Sequence, residues 1–472
     1  MNRRKAKTSW TLRISVVLGI LALAVWQSGG RHISPLLAAF PVAPAAESVA
    51  YPAAVTAPAD AVLPVPAARS GRESVLLFRT TRVYNQKVRL HLFASRPPKF
   101  ISISSDDGLM VSGHPAEAKI TVSINGTHVL VRTHSRKVAD APAVTIEPIE
   151  NILQIRQPNG RLLRTPGELR ISVRQGRLHI VNQLDLESYL MGIVEPELGS
   201  LKLPAEAIKA QLVASRSYIL AVRDRHPHED FDFCDDPHCQ VYAGIPASRT
   251  GSARFPPRYE QAAAAVRGVY LRYHGMPAAA FFHHSCGGCT EAIEDVWGGS
   301  RVGYLRRVKD SDQEYLGTKG WEWSFTISRK SFMKLAYTKR WIQGPQALDG
   351  LRVIRTDLSG RASQILVQSA QPKWVPARAF LQIMNRQYGR EVLPSLLFHI
   401  TMSGDNIRFD GRGWGHGVGM CQAGSVLLAR QGHTYQQILQ HYYPGTTLVR
   451  LKPNAKLPKA DSRRMRFLPW TD

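Results

Sequence analysis

Glu195 and Glu197 stand two residues apart in the run Gly-Ile-Val-Glu-Pro-Glu-Leu-Gly, residues 192–199. A carboxyl group whose pKa is raised stays protonated near neutrality and can donate to a leaving oxygen, as glycosidic bond cleavage requires. Such chemistry uses two carboxylates or one. The glycine and proline around Glu197 predict a short turn. In an extended turn the two glutamates point the same way, whereas in a helix they diverge. On the turn reading Glu195 would raise the pKa of Glu197 by like-charge repulsion.

Cysteine and histidine make a second group. Cys234, His238 and Cys239 lie within six residues, and Cys286 and Cys289 form a Cys-x-x-Cys pair. Two explanations stay open. Both cysteine pairs are close enough in sequence for local disulfides in an exported protein, and the composition also matches a structural zinc site. A third group is the ladder Gly-Arg-Gly-Trp-Gly-His-Gly-Val-Gly over 411–419. Run as a strand, it would put five glycines on one face and Arg412, Trp414, His416 and Val418 on the other. A face without side chains admits another backbone or a flat sugar ring.

These groups need elements to hold them. The spacing of Ile208, Leu212, Ile219 and Val222 predicts a helix from Pro204 with one buried face and with Lys209, Gln211 and Arg216 on others. Residues 73–182 carry short apolar runs with partial alternation, so strands are expected there, with hairpin turns at Asn125-Gly126 and Asn159-Gly160. Beyond residue 259 strands and helices mix. Thr434-x-x-Gln437 predicts a capping box at the last helix. The expected fold class is α+β, an N-terminal all-β platform followed by a mixed α+β catalytic domain. The expected divisions are a leader at 1–33, an Ala/Pro-rich linker at 34–70, a β-rich domain at 71–176, the catalytic domain at 177–448 and a basic tail at 449–472.

The charge narrows the partners. Lys and Arg number 61 against 36 Asp and Glu, a net +25, so the surface attracts polyanions. No helix-turn-helix, RNA-recognition or zinc-finger spacing is present, so nucleic acid is not the expected partner. Five basic residues precede an apolar run from Ile14 to Trp26, which fits a signal-peptide core. Export to the cell envelope is expected, with release or membrane anchoring both open. The acidic polymers of a bacterial wall are then the natural polyanion.

The segments Glu-Ser-Tyr-Leu (187–190), Gly-Ile-Val-Glu-Pro-Glu-Leu (192–198), Glu-Ala-Ile-Lys-Ala-Gln (206–211) and Ala-Ser-Arg-Ser-Tyr (214–218) resemble the signature block of the stage II sporulation protein D family, which includes the amidase enhancers. The resemblance runs over 177–446, with its strongest blocks at 186–218, 234–244, 281–298 and 411–445. It implies a lytic transglycosylase that cuts the MurNAc–GlcNAc bond of peptidoglycan, with Glu197 as the catalytic glutamate. Leu198-Gly199 stands where the family more often has Met-Pro. It also implies a zinc near the cleft on Cys234, His238 and Cys239, with Cys286 and Cys289 completing that site or pairing with each other. Cys421 replaces a common serine and reads as incidental. Within the blocks, Glu195, Arg216, Gln240, Tyr242, His284, Ser285, Trp414, His416 and Gln422 are the candidates for substrate contact. The rival class is a non-enzymatic, wall-binding activator of a cell-wall amidase. A third is a wall hydrolase that uses the metal cluster directly.

Overall fold

The computed structural model of the protein describes residues 86–150, 152–198, 203–236, 238–246, 255–344, 347–389 and 391–452. Chain contacts separate residues 1–64 from 65–472, and all described residues belong to the second unit. The apolar run at 14–26, the linker, the expected strand at 74–78 and most of the basic tail lie outside the described residues. No helix among the described residues is long and apolar enough to cross a membrane.

Alternating apolar residues build the first part: β1 (Lys87–Leu92), β2 (Phe100–Ser104), β3 (Leu109–Val111), β4 (His114–Ala116), β5 (Lys119–Asn125), β6 (His128–Arg132), β7 (Lys137–Ala141), β8 (Ala143–Pro148), β9 (Leu153–Arg156), β10 (Leu162–Thr165), β11 (Glu168–Arg174) and β12 (Arg177–Asp185). The hairpin at Asn125-Gly126 joins β5 to β6, and Asn159-Gly160 turns β9 into β10. The helical block follows as α1 (Leu186–Leu198) and α2 (Ala205–Val222), then β13 (Phe233–Cys234), α3 (Pro257–Ala265), β14 (Val269–Tyr273), β15 (Met276–Pro277), β16 (Phe282–His283), α4 (Ile293–Trp297) and α5 (Asp312–Trp321), the last broken at Gly317. Next come β17 (Glu322–Ser328), α6 (Arg329–Thr338), β18 (Gly350–Thr356), β19 (Ala362–Gln368), β20 (Lys373–Pro376), α7 (Ala377–Tyr388), β21 (Phe398–Ser403) and β22 (Asn406–Arg412). The chain closes with β23 (Met420–Cys421), α8 (Gln422–Arg430), α9 (Tyr435–Tyr442) and β24 (Thr447–Arg450). The fold is α+β, and the capping box on α9 forms as its sequence requires.

The first sheet runs β13-β1-β12-β11-β8-β3-β4 and the second β10-β9-β2-β5-β6-β7. The boundary expected at 176/177 falls in the β11–β12 hairpin, where Arg174 pairs with Arg177. β12 and β13, assigned by sequence to the second domain, are strands of the first sheet. The β platform and the helical block therefore share one continuous hydrophobic core. A second core belongs to the stretch β17–β22 with α6 and α7, which the sequence had not separated.

At the centre lies α2, packed by α1, α3, α8, α9 and β14. Every residue from Ala210 to Val222 is buried, so of the residues expected on polar faces only Lys209 reaches the surface, while Gln211 and Arg216 do not. Its polar side chains are met inside. Arg216 grips Glu187 of α1 through Nε (2.9 Å) and Nη2 (2.5 Å), and its Nη1 donates to the Val269 carbonyl at 2.7 Å. Ser217 Oγ accepts the Leu271 N–H at 2.8 Å. The helix is an axle whose buried polar groups fix α1 and β14 in register.

Candidate active site and metal centre

Glu197 is the first correction. It occupies the last turn of α1, not a turn outside it. The helix starts because Asp185 Oδ1 accepts the N–H groups of Glu187 (2.9 Å) and Ser188 (3.2 Å), an N-cap arrangement. It then continues through Pro196. Proline has no N–H, so the carbonyl four residues earlier, on Gly192, loses its helical donor. The Ala243 N–H takes that carbonyl at 3.0 Å. A side chain on Gly192 would strike the Tyr242 ring, so glycine is what lets the 240–243 segment lie against the helix. Two residues before Ala243, the Val241 N–H donates to Glu197 Oε1 at 3.3 Å. The proline thus recruits the segment that positions the glutamate.

Burial pushes the Glu197 carboxyl up to about 7, with the Val241 N–H pulling weakly the other way. Glu195 does not supply the shift. At 3.6 residues per turn, positions two apart sit about 200° apart around the helix. Glu195 has its own environment, raised by burial and lowered by Arg258.

The cysteine–histidine cluster sits on the same segment. β13 pairs parallel with β1, His91 opposite Cys234. Asp232 binds the Arg89 side chain and N–H, each at 2.8 Å, and Asp235 accepts from Phe93 N (2.7 Å) and Ala94 N (3.1 Å). Those carboxylates pin the loop to the sheet. Cys234 Sγ and Cys239 Sγ are 3.2 Å apart with both thiols free, and His238 Nδ1 is 3.4 Å and 3.6 Å from them. His226 Nε2, which sequence reasoning missed, stands 3.3 Å from Cys239 Sγ. Its signal was the His-Pro-His run at 226–228, but only the fold brings it within reach. Four donors, each within 4.8 Å of the others, make a Cys₂His₂ set. That chemistry suits tetrahedral zinc, whose bonds run about 2.3 Å to sulfur and about 2.0 Å to nitrogen. Cys286 and Cys289 do not join this set, contrary to the expectation that they could complete it.

The candidates for substrate contact divide. Arg216 is wholly buried in its ion pair and cannot meet a ligand. Tyr242 is buried, stacked on Tyr189 with centroids 5.7 Å apart, its hydroxyl 2.7 Å from Thr165 Oγ1. Ser285 is buried and donates to Asp312 at 2.5 Å. Gln422 is buried and donates to Gln211 at 3.4 Å. These four hold the fold. Gln240 is also buried, but neither of its amide atoms has a partner, and it adjoins Val241. His284 and Trp414 are exposed, their rings 6.1 Å apart. His416 is half-buried, held down to about 4 chiefly by burial, with Nδ1 accepting the Val418 N–H at 3.0 Å.

The glycine ladder is strand only at Gly411 and Arg412, the end of β22. Gly413, Gly415, Gly417 and Gly419 all have positive φ, between 74° and 104°, which L side chains rarely adopt. A Cβ on Gly413 would come within 3.0 Å of the Ser285 carbonyl, and one on Gly419 would land on that of Phe281. The bare face is filled by the protein itself, by the 281–287 segment at Gly413, Gly415 and Gly419, by Arg361 at Gly417 and by Trp323 at Gly411, not by a sugar.

Comparison with known proteins follows the same residues. The family model described as stage II sporulation protein, SpoIID, matches residues 174–273, the stretch from β12 through α1, the cysteine–histidine cluster and β14. An uncharacterised protein of Brachyspira hyodysenteriae is 30% identical over 274 residues, 57% of this chain and 68% of the relative. The chain belongs to the SpoIID family. Stage II sporulation protein D of Bacillus subtilis is 27% identical over 284 residues, covering 57% of this chain and 75% of that protein. An amidase enhancer of the same species is 27% identical over 299 residues, 55% of this chain and 40% of the enhancer. Membership of the SpoIID family points to a cell-wall function.

Proposed function

We propose that this SpoIID-family protein is an exported lytic transglycosylase of the cell envelope that cleaves peptidoglycan glycan strands, with Glu197 as its only acid and base. The observation that carries this is a carboxyl group at the end of a fixed helix whose burial lifts it to about 7. Protonated, it donates to the oxygen between MurNAc and GlcNAc. As the carboxylate it takes the proton of the muramyl C6 hydroxyl, which attacks C1 and closes a 1,6-anhydro ring without water. One group serves both steps because the proton leaves and returns at the same place. The divergence of Glu195 argues against a paired-carboxylate hydrolysis. The exposed pair His284 and Trp414 are the residues proposed to meet the glycan.

We further propose that His226, Cys234, His238 and Cys239 hold a zinc ion. Four protein donors leave no open position, which suits a structural rather than a hydrolytic metal. Bound, the ion supplies a crosslink between the end of α2 and the 234–243 segment. The protein's own residues then carry that rigidity to Val241 and so to Glu197.

The test is digestion of purified glycan strands with mass analysis of the product ends. Anhydro-muramyl ends, one water lighter than hydrolytic ends, are expected. Glu197→Gln should remove cleavage with the fold retained, a loss of at least ~10²–10⁴-fold for a general acid–base. Reducing muramic ends would make the protein a hydrolase. No cleavage, with glycan binding that stimulates a cell-wall amidase, would place it with the enhancers.

A further inference from the structure

We infer that His283, Cys286 and Cys421 form a second metal site, built for a thiophilic divalent cation of the zinc class. Nothing in their spacing along the chain links these three, and they come from either side of the stretch β17–β22. β16 and β23 pair parallel with His283 opposite Cys421, and the turn after β16 brings Cys286 back beside them. Their ligand atoms all lie within 4.8 Å of one another, and all three residues are buried.

Three independent features fit a cation there. First, His283 Nδ1 lies 3.2 Å from the Val418 carbonyl, which makes Nδ1 the protonated nitrogen. The other nitrogen, Nε2, is then a lone pair buried with no partner. Metal-bound histidines have this arrangement, one nitrogen on the ion and the other donating to a carbonyl. Second, Cys421 Sγ accepts the N–H groups of Cys286 and Gly424, both at 3.4 Å, at the start of α8. Two backbone donors therefore fix the position of that sulfur. Third, carboxylates crowd the thiols. Asp310 Oδ2 is 3.5 Å from Cys286 Sγ, and Asp312 Oδ2 is 3.7 Å from Cys421 Sγ. Asp312 is fully buried and accepts from Ser285 Oγ (2.5 Å), Gly287 N (2.9 Å) and Trp321 Nε1 (2.9 Å), which fix its carboxyl group beside Cys421 Sγ. Two sulfurs and one nitrogen supply three of the four positions of a tetrahedral site, with a carboxylate close to each sulfur. The ion would tie the 283–287 segment to the head of α8, behind the glycine ladder.

This site is separate from the cluster at 226–239 and does not depend on the role of Glu197. The experiment compares the zinc content of the untagged full chain with that of two variants, Cys286→Ser/Cys421→Ser and the milder His283→Gln. Each is loaded with zinc, dialysed and checked for its fold by circular dichroism. A loss of one metal equivalent per chain is expected in each folded variant, and cobalt loading should lose part of its sulfur charge-transfer absorption. Should the double variant fail to fold, His283→Gln decides alone. Equal metal content in wild type and His283→Gln, or a Cys286–Cys421 disulfide in peptides mapped without reduction, would overturn the site.

Discussion

Glu197 carries a proton for a physical reason that has a thermodynamic consequence. Its carboxyl titrates at about 7 in the folded chain and in the ordinary carboxylate range, about 4.3, when unfolded. Between those values the folded state binds more protons than the unfolded state, so wild-type stability falls as pH rises through that window. Glu197→Gln abolishes the penalty. The variant should match wild type near pH 4 and exceed it at pH 8, by on the order of 2 kcal/mol if half or more of the shift is realised. Urea midpoints at the two pH values check this, and a constant difference would show that burial does not govern the group. Cleavage by wild type should decline above pH 7 for the same reason, since the donor is then ionised. Glu195→Gln should leave the cleavage profile nearly unchanged, because Glu195 points elsewhere.

At the scale of elements, the chain was legible wherever structure is local. The Thr434 capping box, the turns at Asn125-Gly126 and Asn159-Gly160, and the strands β1, β2, β5 and β6 follow from neighbouring residues alone. The failures are all places where a distant partner decides. Pro196 reads as a stop until Ala243 arrives to satisfy Gly192. Arg216 reads as a surface residue until Glu187 is folded onto it. Alternating glycines read as a strand, although the four from Gly413 to Gly419 are each used for a positive φ. The role proposed for Glu197 starts from its type and place in the sequence, whereas the burial that shifts it is visible only in the fold. The Glu187–Arg216 pair gives an element-scale prediction. Arg216→Ala should strand a buried carboxylate between α1 and β14 and cost about 3–5 kcal/mol. Thermal unfolding measures it, and a loss below about 1 kcal/mol would mean that the pair does not lock the two elements.

Over the whole molecule the excess of 25 positive charges should dominate the first encounter with the wall. Screening shortens the reach of exposed charges from about 10 Å at 0.1 M salt to about 3 Å at 1 M. Sedimentation with purified cell walls should therefore fall severalfold across that range. Retention that ignores salt would assign binding to the cleft instead. The stretch from β17 to β22 has its own hydrophobic core and has the look of a removable attachment. Arg361, at the tip of its first hairpin, contradicts that look. It is almost wholly buried, donates to the carbonyls of Cys286 (2.6 Å) and Cys289 (3.1 Å), and lies 3.7 Å from buried Glu291. The space it fills is the space a side chain on Gly417 would need. A lineage that shed the attachment would leave two carbonyls and a carboxylate unanswered in its interior. Descendants must keep both parts or rewrite Gly417, Glu291 and the 286–289 turn together, so the attachment is inherited as a bound pair with the ladder it braces.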